Sequence, residues 1–254
     1  MFQFQQWVKN PYRFIFILAG LIPPFFILSF ILQYGANVPY WDQWDASLNV
    51  AIATADGRLT LETIFRRHNE HRIVFSNLLT AFLTVTAQWN LRLELLASFL
   101  LATGNLTMLL GIIRHQVPKV LPVAVLPLTA LVFSLSQSTN WLSGLHSSWF
   151  FVVFFAIAAF FVLTTHKPGR RPLLIASFLC ICSTLSIGIG ILSVPAVYLG
   201  LFLWGYRRWQ HYLLWGMTAV VAAAWFLIGY NFGGDESSSS NIIDLFTYIV
   251  HYIT

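Results

Sequence analysis

Apolar residues run along this chain in blocks rather than in alternation, and most blocks are about as long as a bilayer is thick. A membrane-crossing helix needs about 20 apolar residues, with roughly 17–25 tolerated. Blocks of this kind cover residues 14–32, 95–113, 120–136, 148–165, 172–187, 191–204 and 212–230. The first contains Pro23-Pro24, which predicts a kink. The blocks at 172–187 and 191–204 are short but together too long for one helix, and Gly188 and Gly190 sit where a tight hairpin would divide them. These patterns predict an all-α, polytopic membrane bundle of about seven spans.

Between residues 33 and 94 the pattern changes. This stretch holds six of the nine acids, Asp42, Asp45, Asp56, Glu62, Glu70 and Glu94, together with Arg58, Arg66, Arg67, Arg72 and Arg92. Within it, residues 72–88 are apolar enough to count as a further span, yet Ser76, Thr80, Thr84 and Gln88 recur every four residues as a polar stripe. Such a stripe suits a helix lying against the membrane, and a spanning helix could equally turn it into a bundle.

Charge arbitrates between the two. If 72–88 spans, only Lys9, Arg13 and Arg92 face the cytoplasm. If it stays outside, nine basic residues fall inside: Lys9, Arg13, Arg114, Lys119, Lys167, Arg170, Arg171, Arg207 and Arg208. The positive-inside rule prefers the second arrangement. The expected layout is a cytoplasmic N-terminus and first span (1–32) and an external loop with juxtamembrane helices (33–94). Six further spans follow (95–230), then an external loop and the start of another helix (231–254). Lys9 and Arg13 flank the first block and no small-residue cleavage pattern follows it, so it reads as a retained helix rather than a signal peptide. The apolar segment at 242–253 begins without closing, as in the N-terminal part of a longer protein.

Composition agrees. Hydrophobic residues make up 57% and charged residues 9%, against about 25% charged in a soluble domain. This excludes a soluble enzyme, a disordered regulator and a nucleic-acid binder. The net charge of +5 serves orientation before it suggests a ligand. Cys180 and Cys182 lie inside an apolar block and imply packing rather than a disulfide framework.

Two stretches of the 33–94 segment carry candidate chemistry. In Tyr40-Trp41-Asp42-Gln43-Trp44-Asp45, Pro39 stops the incoming chain and a helix is expected from about Asp42. Trp44, Leu48, Ala51, Ile52 and Ala55 would then share a face that could rest on the bilayer. Asp42 and Asp45 could simply cap that helix, where the backbone favours negative charge. In Arg66-Arg67-His68-Asn69-Glu70-His71-Arg72, the cations suit a lipid phosphate or only general headgroup attraction, worth about 1 kcal/mol per basic residue. His68, Glu70 and His71 match neither common zinc-protease spacing.

The order of these features resembles the type C glycosyltransferases (GT-C), membrane enzymes that use lipid-linked sugars. The likeness is nearest to the bacterial relatives of protein O-mannosyltransferases and aminoarabinose transferases. One span leads to an acidic motif, here Asp42 with Gly57 fifteen residues on, and then to a basic residue before an apolar helix, here Arg72 ahead of residues 73–88. Trp89-Asn90 and Leu91-Arg92-Leu93 resemble the turn that follows in the family. Two features depart from the family: Gln43 replaces the second acid of the usual Asp-Glu pair, and His71-Arg72 replaces a Lys-Pro-Pro-Leu type sequence. The resemblance implies a bacterial inner-membrane enzyme moving a sugar from a polyprenyl-phosphate carrier to an acceptor outside. Asp42 would be general base, Asp45 would orient the acceptor, and Arg66, Arg67, His71 and Arg72 would hold the lipid phosphate. Asp42 and Asp45 could also offer two oxygens to Mg²⁺ or Mn²⁺, although too few further ligands are in view to require a metal or other cofactor. The expected partners are the lipid-linked sugar and the bilayer. The rival reading is a non-catalytic multi-pass protein, such as a lipid-linked-sugar flippase or transporter subunit, although no charged residue lies deep in a predicted span.

Overall fold

A computed structural model describes residues 11–228, with side chains from Ile15 onward. Lys9, the Arg13 side chain, Tyr230 and the whole of 231–254 lie outside the described residues. The described part is almost entirely helical. Helix α1 (Pro11–Tyr34) is followed by a 3-10 turn (Trp41–Trp44), α2 (Ala46–Ala55), α3 (Leu61–Phe65) and a two-stranded hairpin, β1 (Arg67–His68) and β2 (His71–Arg72). Then come α4 (Val74–Ala87), α5 (Leu91–Gln116), α6 (Leu121–Val132), α7 (Ser138–Leu142), α8 (Ser147–Thr165), α9 (Arg170–Ser186), α10 (Ser193–Leu203) and α11 (Trp209–Leu227).

Four helical stretches are long and apolar enough to cross a membrane: Ile15–Tyr34, Leu91–Gln116, Leu121–Leu142 and Gly144–Thr165. The third joins α6 and α7 through a 3-10 turn, and the fourth joins α8 to the short turn before it. The other three predicted spans fall on helices α9, α10 and α11, none of which is among those four. Pro23-Pro24 does not interrupt α1, which runs unbroken through both. The missing donors free the carbonyls of Ala19 and Gly20 while the ladder continues on either side. Gly20 lies against α6, where an added Cβ would come within 2.6 Å of Val125 Cγ1.

Side-chain contacts sort the helix ends. Arg92 Nε donates to the Gly35 carbonyl at 3.0 Å, and the Leu91 N–H donates to Asn37 Oδ1 at 2.8 Å. The chain therefore leaves α1 and enters α5 at the same end of the bundle, and the 35–90 segment sits there. At the opposite end Gln116 Nε2 donates to the Thr164 carbonyl and Arg170 Nη2 to Gln210 Oε1. The six described acids all belong to the first end. The second end gathers Arg114, Lys119, Lys167, Arg170, Arg171, Arg207 and Arg208 in its turns.

Three apolar clusters hold the described residues together, the smallest joining Val50, Ile64, Val74 and Ala81 of α2, α3 and α4. Another packs Ile27 and Ile31 of α1 against Leu95, Phe133 and Trp141. The third packs α8 to α11 around Leu173, Val197, Tyr206 and Trp215. Cys180 and Cys182 are free and buried. Large apolar side chains stay exposed on the outer faces, among them Ile22, Phe25, Leu199 and Leu203, as befits a surface solvated by lipid.

The polar stripe of α4 points inward. Ser76 and Thr80 are buried, while Leu78, Phe82 and Val85 face out. Ser76 Oγ shares a hydrogen bond with Ser147 Oγ, and Asn77 Nδ2 donates to the Ile64 carbonyl. Gln88 ends the stripe exposed, in the left-handed conformation that terminates the helix. At about 1.5 Å per residue, fourteen residues reach roughly 21 Å, short of the roughly 30 Å hydrocarbon core.

Candidate functional site

The site is built from the 3-10 turn and the hairpin. Trp41 adopts φ of 51°, a left-handed conformation that costs an aromatic residue about 1–3 kcal/mol. It sets the turn that displays Asp42. The hairpin reverses over Asn69-Glu70, with Asn69 also left-handed at φ of 52°, a conformation asparagine tolerates. Arg67 pairs with Arg72 and His68 with His71 across the two strands.

This brings His68 to the acids. His68 Nε2 lies 3.4 Å from Asp42 Oδ2, and His68 Nδ1 lies 3.9 Å from Asp45 Oδ2. The His68 ring is largely covered, whereas the Asp42 and Asp45 side chains are 55% and 77% exposed. The imidazole is thus within hydrogen-bonding distance of Asp42 and close to Asp45. Neither acid behaves as a cap: Asp45 occupies the N-cap position of α2 without a side-chain cap bond. Of the face predicted to rest on the bilayer, Trp44 and Ile52 are exposed but Ala51 is buried.

Below the acids lies a buried polar node. Gln43 Oε1 accepts from the Tyr40 N–H, and its Nε2 donates to Glu94 Oε2 at 3.0 Å. Glu94 Oε1 accepts from Thr80 Oγ1 at 2.7 Å and Trp89 Nε1 at 2.9 Å. Trp89 reaches inward because Gln88 and Trp89 are both left-handed. Gly144 closes the node, since a Cβ there would overlap Glu94 Oε2 and approach Gln43 Nε2 at 2.6 Å. Glu94 is only 1% exposed, and three donors satisfy it, as a buried carboxylate requires.

The arginines separate. Arg66 is exposed and makes no hydrogen bond or ion pair among the described residues. Arg67 Nη2 donates to the Phe226 and Ile228 carbonyls, the latter at 3.0 Å. Arg72 donates from Nη2 to the Ile228 carbonyl at 2.8 Å and from Nη1 to the Phe65 carbonyl. Two cations thus serve the orphan carbonyls at the C-terminal end of α11, where the helix dipole favours positive charge. The space between Arg67, Arg72, Gly188 and Phe226 is about 10 Å³, room for roughly one water.

His71 sits against the corner between α9 and α10. Gly188 permits this, because a Cβ there would come within 2.6 Å of His71 Nδ1. Burial pushes the His71 pKa down, with the Glu70 charge partly opposing.

Comparison with known families, with curated proteins and with solved structures finds no match.

Sequence reasoning singled out Asp42, Asp45 and the Arg66–Arg72 run but gave His68 no part beside the acids and Glu94 none beyond its charge. Among the described residues no three His, Cys, Asp or Glu side chains are grouped to hold a metal ion. Asp42 and Asp45 meet an imidazole rather than the further oxygens that Mg²⁺ or Mn²⁺ prefers.

Proposed function

We propose that this protein is a GT-C type glycosyltransferase of a bacterial cytoplasmic membrane, moving a sugar from a polyprenyl-phosphate carrier to an acceptor on the outer face. The observation that carries the reading is the Asp42 carboxylate, solvent-facing on a strained turn and held beside His68 above a fully satisfied buried node. A general base needs this combination of access and fixed position. Asp42 takes the proton of the acceptor hydroxyl or amine as that group attacks the anomeric carbon. The bond from that carbon to the phosphate oxygen breaks, and polyprenyl phosphate leaves. His68 orients the Asp42 carboxylate, and Asp45 orients the acceptor. Arg66 has an uncommitted guanidinium to offer the departing phosphate. Arg67 and Arg72 add fixed positive charge nearby while their donors hold α11, and His71 anchors the hairpin on the bundle. Stabilising the charge that develops on the leaving group is where such cations act.

In this reading α1, α5, α6, α8, α9, α10 and α11 span, the N-terminus is cytoplasmic, and the 35–90 segment is external. The partition of acids and cations between the two ends supports it. The test is mass spectrometry of lipid-linked sugars in source cells lacking the protein. One polyprenyl-phosphate sugar should accumulate, clear with wild type, and persist with Asp42→Asn. Clearance by Asp42→Asn would remove the base assignment.

One observation favours the second reading, a non-catalytic membrane protein such as a lipid-linked-sugar flippase or transporter subunit. Arg67 and Arg72 are engaged with carbonyls around a space too small for a phosphate. If no lipid-linked sugar changes in the null cells, this reading takes precedence.

A further inference from the structure

The end of the bundle opposite Asp42 has a cavity of about 370 Å³ between the α9 and α10–α11 turns, with Gly169, Arg170, Arg207, Arg208, Gln210 and His211 on its walls. Two helices begin at it. Gly169 is the N-cap of α9 and Arg208 the N-cap of α11; neither makes a side-chain cap bond, and neither first turn contains an acid. The N–H of Leu173 turns back to the Gly169 carbonyl and that of His211 to the Arg208 carbonyl. The first-turn N–H groups of Arg170, Arg171, Trp209 and Gln210 find no acceptor among the described residues. Arg170 Nη2 ties the two helix starts together through Gln210 Oε1 at 3.2 Å.

The charge here runs against the usual preference. Helix N-termini favour acids and disfavour cations, yet Arg170 and Arg208 stand at two of them and Arg207 adjoins. Every described acid belongs to the opposite end, so the described chain supplies no counter-charge. The wall behind is fixed. Tyr206 is fully buried, edge-on to His211 with ring centres 5.1 Å apart. Its hydroxyl lies against the Gly169 backbone at the start of α9. Gly205, at φ of 81°, makes the turn that brings Arg207 and Arg208 round, and the Arg207 guanidinium packs over the Phe202 ring at 3.9 Å. General attraction to an anionic leaflet explains cations anywhere on this end. It does not explain a cavity on which three arginines and two uncapped helix starts converge.

We propose that this cavity is a binding site for a phosphate group, carried either by an anionic phospholipid headgroup or by a free phosphate species. Convergent backbone donors and planar guanidinium groups are the chemistry that recognises it. The proposal is independent of the reading of Asp42. The test places the full chain in two kinds of nanodisc, pure phosphatidylcholine and phosphatidylcholine with phosphatidylglycerol. Inorganic phosphate is titrated into the first, and retained phosphatidylglycerol is counted by native mass spectrometry in the second. Saturable protection against thermal unfolding by phosphate in neutral discs assigns the free species. Retention of one phosphatidylglycerol assigns the headgroup. Either signal should weaken at least tenfold in Arg170→Gln/Arg207→Gln/Arg208→Gln and persist in Arg114→Gln/Lys119→Gln, which removes the same kind of charge outside the cavity. Neither signal in the wild type, or equal loss in both variants, overturns the site. The wild-type titration decides the matter even if the triple variant fails to fold.

Discussion

The two ends of this bundle handle charge in opposite ways. At the acid-bearing end the polypeptide satisfies most of its own charged groups. Glu94 has three donors, and Arg67 and Arg72 donate to the carbonyls that end α11. Asp42 and Asp45 face solvent beside His68, and the exposed Glu62 and Arg66 make no hydrogen bond or ion pair among the described residues. At the basic end arginines crowd two helix starts with no described acid to answer them. The lesson concerns what remains after internal pairing. One end leaves exposed carboxylates beside an imidazole, and the other leaves a cavity lined by arginines.

The largest expected effect comes from breaking the buried node. Glu94→Ala strands the donors of Gln43, Thr80 and Trp89, each costing about 1–3 kcal/mol when buried and unpaired. The sum, about 3 kcal/mol or more, should lower Tm in detergent by roughly 6–12 °C. Glu94→Gln, which keeps two of the three bonds within reach, should cost much less. Equal losses in the two variants would mean that the node is packing rather than hydrogen bonding.

A smaller effect is expected at Gly188→Ala, where the new methyl would press on His71 Nδ1. Overpacking of this kind costs about 1–3 kcal/mol, and His71 should become more reactive toward diethyl pyrocarbonate as it is pushed out. An unchanged Tm and unchanged reactivity would contradict the contact.

The pH dependence of stability should carry a His71 contribution. Burial lowers the folded pKa below the ordinary 6.5, so the unfolded chain takes up the proton first as pH falls. Stability then rises with pH between the lowered folded value and 6.5, and it is lost as acidity increases through that window. His71→Gln should flatten the slope of Tm against pH there. The smallest stability effect belongs to Asp42→Asn, expected within about 0.5 kcal/mol of wild type because the side chain is exposed. A large loss would mark Asp42 as structural and blur the contrast between the ends.

Much of this polarity was legible in the sequence. Apolar block lengths located the long helices, and Gly188 and Gly190 marked the turn between α9 and α10. The direction of the α4 stripe was not legible, because a period of four reads the same whether the polar face meets water or protein. Only the partners, Ser147 and Glu94, decide it. The role of Arg67 and Arg72 depends on α11, more than 150 residues away. Gln43 looked like a defect in an acidic pair, and in the fold its amide joins the Asp42 turn to Glu94. No local signal could have shown this, since Glu94 is fifty-one positions away.

The proposed topology places the Asp42 end on the outer face of the membrane and the arginine cavity on the cytoplasmic face. Single cysteines at Leu61, exposed near the hairpin, and at Lys167, in the α8–α9 turn, report on it directly, because Cys180 and Cys182 are buried. In intact cells a membrane-impermeant maleimide should label Leu61→Cys at once and Lys167→Cys only after lysis. Labelling of Lys167→Cys before lysis, with Leu61→Cys protected, would invert the protein and contradict the account.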